Sequence, residues 1–369
     1  MKKLLSLLAV LLCTASFIFA IDAGSTLAAN AGFSANTPTS IGMAPSFTFT
    51  GWMRQPMGTV GSFAAEADYR VTPDDAVIDL TLLKSTLNYG SVKVEAGRFS
   101  VADATGTIYS MPADGAYITY ASRYFAANLY GAYTGLLNSR TISLQDTEGD
   151  YASSALPYDI SGTPQYAIGM IRTSLPSLIK GQTFGVDGLA CVNLDQKQAN
   201  RMYATVFANG PVVRMLYYGL MCSASVIQDS PAGTPGSFGL MGKGNMVWYP
   251  GVLSSSLSGN LTYTTKSFST FAAGGPSQDG SLPWSNVVDA QFGASCKPVS
   301  VALVSLTADI IAAGDNDSAL SLHSFQWKLS GNIQVVSDFA LTVSAGEIVP
   351  LSKSTSPYLN GSFGATLAF

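Results

Sequence analysis

The chain ends in NGSFGATLAF, and this segment alternates strictly. Phe363, Ala365, Leu367 and Phe369 fall on one face of an extended backbone, while Ser362, Gly364, Thr366 and Ala368 fall on the other. Successive side chains of a strand point to opposite faces, so a two-residue period marks a strand between an apolar and a polar medium. The pattern recurs along the chain. Segment 62–70 sets Phe63, Ala65, Ala67 and Tyr69 against Ala64, Glu66, Asp68 and Arg70, and 91–97 sets Val92, Val94 and Ala96 against Lys93 and Glu95. Segment 301–310 opposes Ala302, Val304, Leu306, Ala308 and Ile310 to Ser305, Thr307 and Asp309. Segment 336–346 opposes Phe339, Leu341, Val343 and Ala345 to Asp338, Thr342 and Ser344. These runs approach the 9–11 residues with which a tilted strand crosses a bilayer. No comparably long stretch has a 3.6-residue period.

Composition decides which apolar medium is meant. Hydrophobic residues make up 47% of the 369 and charged residues only 11%, against about 25% charged in an ordinary soluble domain. Beyond the N-terminus no run reaches the roughly 20 apolar residues of a spanning helix. A membrane-like composition without membrane helices leaves an all-β, transmembrane antiparallel barrel. Lys+Arg total 19 and Asp+Glu 23, so there is no basic footprint and nucleic acid is not an expected partner. At the N-terminus, Lys2 and Lys3 precede an apolar run over 4–20, the pattern of a secretory signal. Cleavage after Ala20 leaves 21–369 as a single barrel domain with Cys191, Cys222 and Cys296, a set with neither disulfide nor metal spacing.

The connections carry a second rhythm. Short turn-like segments (RQPMGT, NYG, SRY, PSLIKG, NGP, YPG, KPVS and the SGN near 331) alternate with longer, more polar ones. Short turns on one side and long loops on the other are the outer-membrane barrel signature. Seventeen strands follow from Ser46 to Phe369, and 25–35 supplies an eighteenth before a first outer loop at 36–41. The prediction is about eighteen strands with both termini in the periplasm. Sixteen is the fallback if 25–35 and the bent region near Lys84 are misread. The final aromatic residue, Phe369, resembles the signal that bacterial outer-membrane barrels present to their assembly machinery.

Barrels of sixteen to eighteen strands enclose water. Alternation puts Glu66, Asp68, Arg70, Asp79, Lys93, Glu95, Asp187, Lys243, Asp289, Asp309, Lys328 and Asp338 on the lumen face, because charge facing lipid costs a few kcal/mol at the midplane. Acids outnumber bases in this set, which favours weak cation preference. The longest loop, 138–165, is the candidate for constricting the bore. The aromatics Trp52, Trp248, Tyr249, Tyr217, Tyr218, Trp284 and Trp327 read as interface girdles.

One further stretch, VEAGRFSVADATGTIYSMPADGAYITY, joins Gly97–Arg98–Phe99 to Asp114–Gly115 across a loop. It resembles the "GR … DG" hairpin of substrate-specific bacterial outer-membrane porins such as the carbohydrate-selective and alginate-export families. The resemblance implies an arginine that projects toward the channel, which adds Arg98 to the pore-lining candidates. On the residues alone, Arg98 could pair with Asp103 or Asp114 and fold the loop inward. Equally, it is a loop anchor beside an Asp-Gly turn.

The reading is a porin of a bacterial outer membrane, passing small hydrophilic solutes and meeting its lipids. It needs neither cofactor nor metal. A carrier of hydrophobic compounds, like the long-chain fatty-acid channel, is the alternative; it would need an N-terminal plug. A structural or adhesive surface barrel is the third reading. Catalysis finds no support: the one histidine, His323, lies in a strand-like segment, and no acidic pair has diagnostic spacing. Trimers are common among porins, so a homotrimer is the oligomer to test.

Overall fold

The computed structural model describes residues 21–37, 40–138, 140–142, 144, 163–179, 181–195, 198–228, 236–272, 274–278, 282–314, 319–351 and 356–369. Eighteen strands follow one another in the order Asp22–Thr37 (β1), Ser40–Met57 (β2), Gly61–Val71 (β3), Ala76–Tyr89 (β4), Val92–Ala102 (β5) and Ser110–Ala121 (β6). Next come Ala126–Tyr133 (β7), Tyr166–Ile179 (β8), Gln182–Asn193 (β9), Asn200–Val213 (β10), Leu216–Gln228 (β11) and Ser237–Trp248 (β12). The last six are Ser256–Thr264 (β13), Val287–Val299 (β14), Ala302–Ala313 (β15), Ser321–Val336 (β16), Phe339–Pro350 (β17) and Tyr358–Ala368 (β18). Each strand pairs antiparallel with its neighbours, and β1 pairs with β18 from Thr26–Ala368 to Ala35–Leu359. The sheet therefore closes into a barrel with no free edge. Closure satisfies every strand's amides within the wall, which a hydrocarbon medium demands. No helix among the described residues is long and apolar enough to cross a membrane.

The alternation seen in the sequence sorts the two faces. Phe363, Val343, Leu329, Ile310, Phe292, Leu261, Leu240, Val206, Val186, Ile171 and Leu129 are all exposed on the outside of the wall. On the opposite face of these strands Gln326, Asp309, Asp289, Thr262, Thr205, Asp187 and Tyr130 are buried, covered by something inside the barrel.

Several boundaries differ from the sequence-based expectation, each for a reason of pairing. The first outer loop, expected over 36–41, is largely taken up by the wall, because the β1–β2 ladder continues past a bulge to Thr37–Ser40. The SGN segment is not a turn: Gly331 lies inside β16, paired with Val304 and Val343, and the chain reverses at 337–338 instead. NGP likewise lies inside β10, which runs on to Val213. The bend near Lys84 is a bulge opposite Glu66–Ala67, where Thr81 is the extra residue.

Candidate functional site

Two segments leave the wall and fold into the barrel. The first is the tip of the β5–β6 hairpin. β4 pairs with β5 only as far as Leu83–Arg98, and β7 pairs with β6 only from Asp114–Tyr133 onward. Beyond those points, 99–102 and 110–113 pair with each other alone. Freed from both neighbours, this piece bends inward. Gly97 and Gly115 face each other at the bend. Gly97 has φ +121°, and a Cβ there would stand 1.9 Å from the Leu83 carbonyl oxygen; a Cβ on Gly115 would stand 2.2 Å from that of Gly131. Only glycine permits this approach. Next to them, Arg98 clasps Asp114 through Nε (2.9 Å) and Nη2 (2.7 Å). It also donates to the carbonyl oxygens of Leu80 and Leu136, on β4 and just after β7. The bidentate pair thus sews the hinge to both strands it has left.

At its far end the hairpin docks on the inner side of β8, β9 and β12. Asp187 Oδ2 accepts from the Ala104 amide (2.7 Å) and from Arg172 Nε (3.0 Å) and Nη2 (2.7 Å), while Arg172 also reaches the Ala102 carbonyl. Lys243 Nζ on β12 donates to Thr105 O (2.9 Å) and Thr107 Oγ1 (2.8 Å). The tip itself is organised by Asp103, whose Oδ2 accepts from Thr105 N and Oγ1 and whose Oδ1 accepts from Tyr109 N.

The second inward segment joins β13 to β14. Arg201 Nη1 donates to Thr270 O, Tyr203 Oη to Ser269 O (2.9 Å), and Gln326 Nε2 to Pro276 O (2.7 Å). It meets the hairpin directly, since the amides of Phe271 and Ala272 both donate to Ile108 O. Between the two segments and the wall lies an apolar core built on Tyr109, Tyr130, Tyr166, Met170, Tyr203, Phe268 and Phe271. Tyr166 and Phe271 pack edge to face at 4.9 Å. Burial pushes the Tyr109 phenol far above its ordinary pKa, so it stays neutral within this core.

The remaining bore is therefore off-centre. Among the described residues, β1, β2 and β3 contain none that is buried, whereas β8 to β12 hold many on their inner face. A cavity of about 390 Å³ opens beside the hairpin, lined by Asp79, Thr81, Ser100, Ser110, Asn138 and Thr141 above an apolar floor that includes Met111 and Pro112. Larger concavities, of about 630 and 550 Å³, lie over glycines of β12 and β13 on the outer wall and face the surrounding medium instead.

The predicted pore residues distribute unevenly around this geometry. Glu66, Asp68, Asp79 and Lys328 stand on the inner face along the uncovered side, and exposed Arg70 shares their face of β3. Lys93 and Lys84 pair with Glu95 at 3.1 and 2.7 Å. Asp187 and Lys243 are engaged by the hairpin tip, and Asp289 and Asp309 are buried beneath the covered wall. Arg98 is buried in its clasp with Asp114, which lies within β6 and not in a turn. Asp338 sits in the reversal between β16 and β17, at the opposite end of the barrel from the inward segments. Trp52 pairs with Glu66 on the inner side, so it is no girdle residue. The stretch expected to constrict the bore, 138–165, lies mostly outside the described residues. Its start leans on the inner side of β4, where Thr141 Oγ1 donates to Asp79 Oδ2 (2.6 Å) and Arg140 pairs with Asp75 (2.7 Å). The constriction that is described comes from 103–109 and from 265–272, 274–278 and 282–286. A clue was present in the sequence, because the inner faces of β8 and β10 carry Ile168, Met170 and Tyr203 where a wetted wall would be polar.

A closed, antiparallel, eighteen-stranded barrel with inward-folded connections is the architecture of bacterial outer-membrane porins. Among solved structures, the chain is similar to Pseudomonas aeruginosa OccK11 (OpdR), with TM-score 0.60 and 12% identity over 94% of this chain and 96% of that one. It is also similar to OccK2 (OpdF) in complex with glucuronate, with TM-score 0.62 and 9% identity over 94% and 98%. A third, OpdK with vanillate, gives TM-score 0.61 and 9% identity over 94% and 98%, also from Pseudomonas aeruginosa. Identities this low establish a shared fold. No protein-family model matches the chain, and no curated protein matches it in sequence.

Proposed function

We propose that this protein is an outer-membrane porin through which small hydrophilic solutes diffuse passively. The observation that carries the reading is the inner wall of β1–β3, which holds no buried residue among those described, together with its continuation at Lys328 of β16 and Asn360 of β18. This wall lies away from the part of β16 that the β13–β14 segment buries at Ser324 and Gln326. There Thr48, Thr50, Glu66, Asp68, Lys328 and Asn360 remain partly or fully accessible while the rest of the lumen is packed. An inner face of that chemistry holds water, and eighteen strands enclose enough of it for solutes to pass. In this reading residues 1–20 are the export signal, the short turns face the periplasm, and the loops face outward. The strand ending in Phe369 supplies the assembly signal; its backbone exchanges hydrogen bonds with Ser25 to complete the seam. Glu66, Asp68, Arg70, Asp79 and Lys328 line the path, while Arg98 positions the hairpin that narrows it. No chemistry is assigned to His323, whose Nδ1 lies 3.2 Å from its neighbour Ser324 Oγ.

A carrier for hydrophobic compounds is not favoured, because 22–37 forms β1 of the wall and does not thread the lumen. Planar-bilayer recording on the purified barrel tests the proposal. Steady, stepwise channels in potassium chloride are expected, together with liposome swelling by small neutral solutes. A folded barrel that inserts and remains silent would overturn it.

A further inference from the structure

The outer wall carries a trough that local packing does not require. On β12, Gly242 and Gly244 share the face of exposed Leu240 and Met246, while Lys243 between them reaches inward to Thr105. Gly259 of β13 stands on the same outer face as exposed Leu261 and pairs with Met246. None of the three has a left-handed φ. A Cβ on Gly242 or Gly259 would meet nothing within 4 Å, and one on Gly244 only Leu220 Cδ2 at 3.5 Å. Glycine weakens the interior of a strand and marks places where another group approaches the backbone closely. Here the chain gains only empty space.

That space is continuous and polarised. The two outer concavities, of about 630 and 550 Å³, share Leu220, Gly244 and Leu261, so they form one trough. One end lies at Val206 and Tyr263, midway along the strands, and the other at Val212 and Met246, near the short turns. From Gly242 to Trp248, at about 3.3 Å per residue and a tilt of about 40°, is roughly 15 Å along the membrane normal. That is one leaflet of a hydrocarbon core about 30 Å thick. The turn end is basic. Arg214, two residues beyond Val212 in the β10–β11 reversal, is exposed, and no acid pairs with it among the described residues. Lys297, exposed near the end of β14, flanks the other side. The turn segments 178–182, 211–217, 248–256 and 297–302 contain no acid. Tyr217 and Tyr249 pack edge to face there at 6.0 Å beside exposed Trp248, an aromatic belt at headgroup level.

We propose that the trough seats one acyl chain of an anionic glycerophospholipid, with the lipid phosphate on Arg214. The wall is convex around it. A second barrel, equally convex, would rest on the rims and leave the floor unfilled, and surfaces facing a void lose their dispersion contacts. A flexible chain follows the floor. With the short turns on the periplasmic side, as in the proposed function, the trough opens to the leaflet of glycerophospholipids and not to that of lipopolysaccharide; the proposal rests on that orientation.

Native mass spectrometry of the full chain in detergent, titrated with dioleoyl phosphatidylglycerol, tests it. One lipid per chain should survive removal of the detergent. Gly242→Leu with Gly259→Leu fills the floor where a side chain meets no clash, so the barrel should keep its far-ultraviolet β signal while binding weakens about tenfold. Arg214→Gln, at an exposed turn, should weaken phosphatidylglycerol binding severalfold and leave binding of dioleoylglycerol, which lacks the phosphate, unchanged. Should the filled variant fail to fold, the Arg214 comparison decides alone. A wild type that retains no phosphatidylglycerol overturns the proposal, as does a folded, filled variant that binds like the wild type. Lipopolysaccharide displacing phosphatidylglycerol from the wild type would also overturn it. So would a dimer in sedimentation equilibrium that the filled variant loses, because the occupant would then be a second copy. Channel conductance enters none of these measurements, so a failure here is distinct from a failure of the porin reading.

Discussion

The residue with the most to do in this barrel is Arg98. Its guanidinium meets Asp114 with two nitrogens and caps carbonyls on β4 and after β7, all at 5% exposure. Removing one partner of a buried ion pair strands the other, at a cost of about 3–5 kcal/mol. Arg98→Ala should therefore lower unfolding stability by about 3 kcal/mol and free the hinge, so that the channel becomes wider and noisier in single-channel records. Asp114→Asn removes charge but little volume and should give the same phenotype in milder form. If Arg98 instead formed part of the selectivity surface, its loss would alter ion preference at unchanged channel size. Gly97→Ala makes a separate claim. At φ +121° the added methyl collides with the Leu83 carbonyl, so the barrel should fold poorly or with β5 displaced from β4. That displacement would appear as faster amide exchange at Leu83 and Lys84. Arg98 and Asp114 were readable as a possible pair from their types. Which acid Arg98 takes, and that the two glycines form a hinge, depends on where β4 and β7 stop pairing, which no local pattern encodes. Glu347 taught a similar limit. Alternation places it on the outer face, where its carboxylate accepts from Trp327 Nε1 at 3.2 Å near a strand end. Indole and carboxylate together suit an interfacial position, where charge is tolerated.

Among the elements, the strands were the more legible. Their two-residue period comes from lipid on one side and water on the other, a constraint applied at every position. Hence 62–70 and 301–310 oriented themselves from alternation alone, and Ser110–Ala113 was read as loop because its partner is the other arm of an inward hairpin and no longer the wall. Loops carry no such constraint. The longest, 138–165, drew attention by length and charge, yet the described constriction comes from the much shorter 103–109. This segment grips Asp187 on β9 and Lys243 on β12, and Ala102 just before it accepts from Arg172 on β8. Replacing 103–109 by an Asn-Gly reversal would keep the hairpin paired while withdrawing those contacts. A severalfold rise in single-channel conductance is expected, with the far-ultraviolet β signal unchanged. Conductance left at the wild-type level would show that the narrow point lies elsewhere.

At the scale of the whole molecule, charge along the uncovered bore should set ion preference. Ion selectivity in a pore follows the charged side chains at its narrow reach and the width there. Pairing removes several predicted contributors: Glu95 is balanced by Lys84 and Lys93, and Asp187 by Arg172. Asp289 and Asp309 lie under packed protein and act on the bore only at a distance. What remains near the hairpin is Glu66, Asp68 and Asp79, with Asp68 directly opposite Asp79 across adjacent strands. Two bases temper them: Arg70, next along the same face of β3, and Lys328 on β16. The balance is acidic but small, so the reversal potential across a potassium chloride gradient should take the cation sign with modest magnitude. It should shrink as salt rises, since the screening length falls to about 3 Å at 1 M. Asp68→Asn combined with Asp79→Asn should carry the preference to neutral or to the anion side, because Arg70 is then opposed by Glu66 alone. The same double substitution relieves like charges placed face to face, so the barrel should not lose stability. Anion preference in the unaltered protein would mean that residues outside the described set, 145–162 among them, govern the bore in place of the β3–β4 wall.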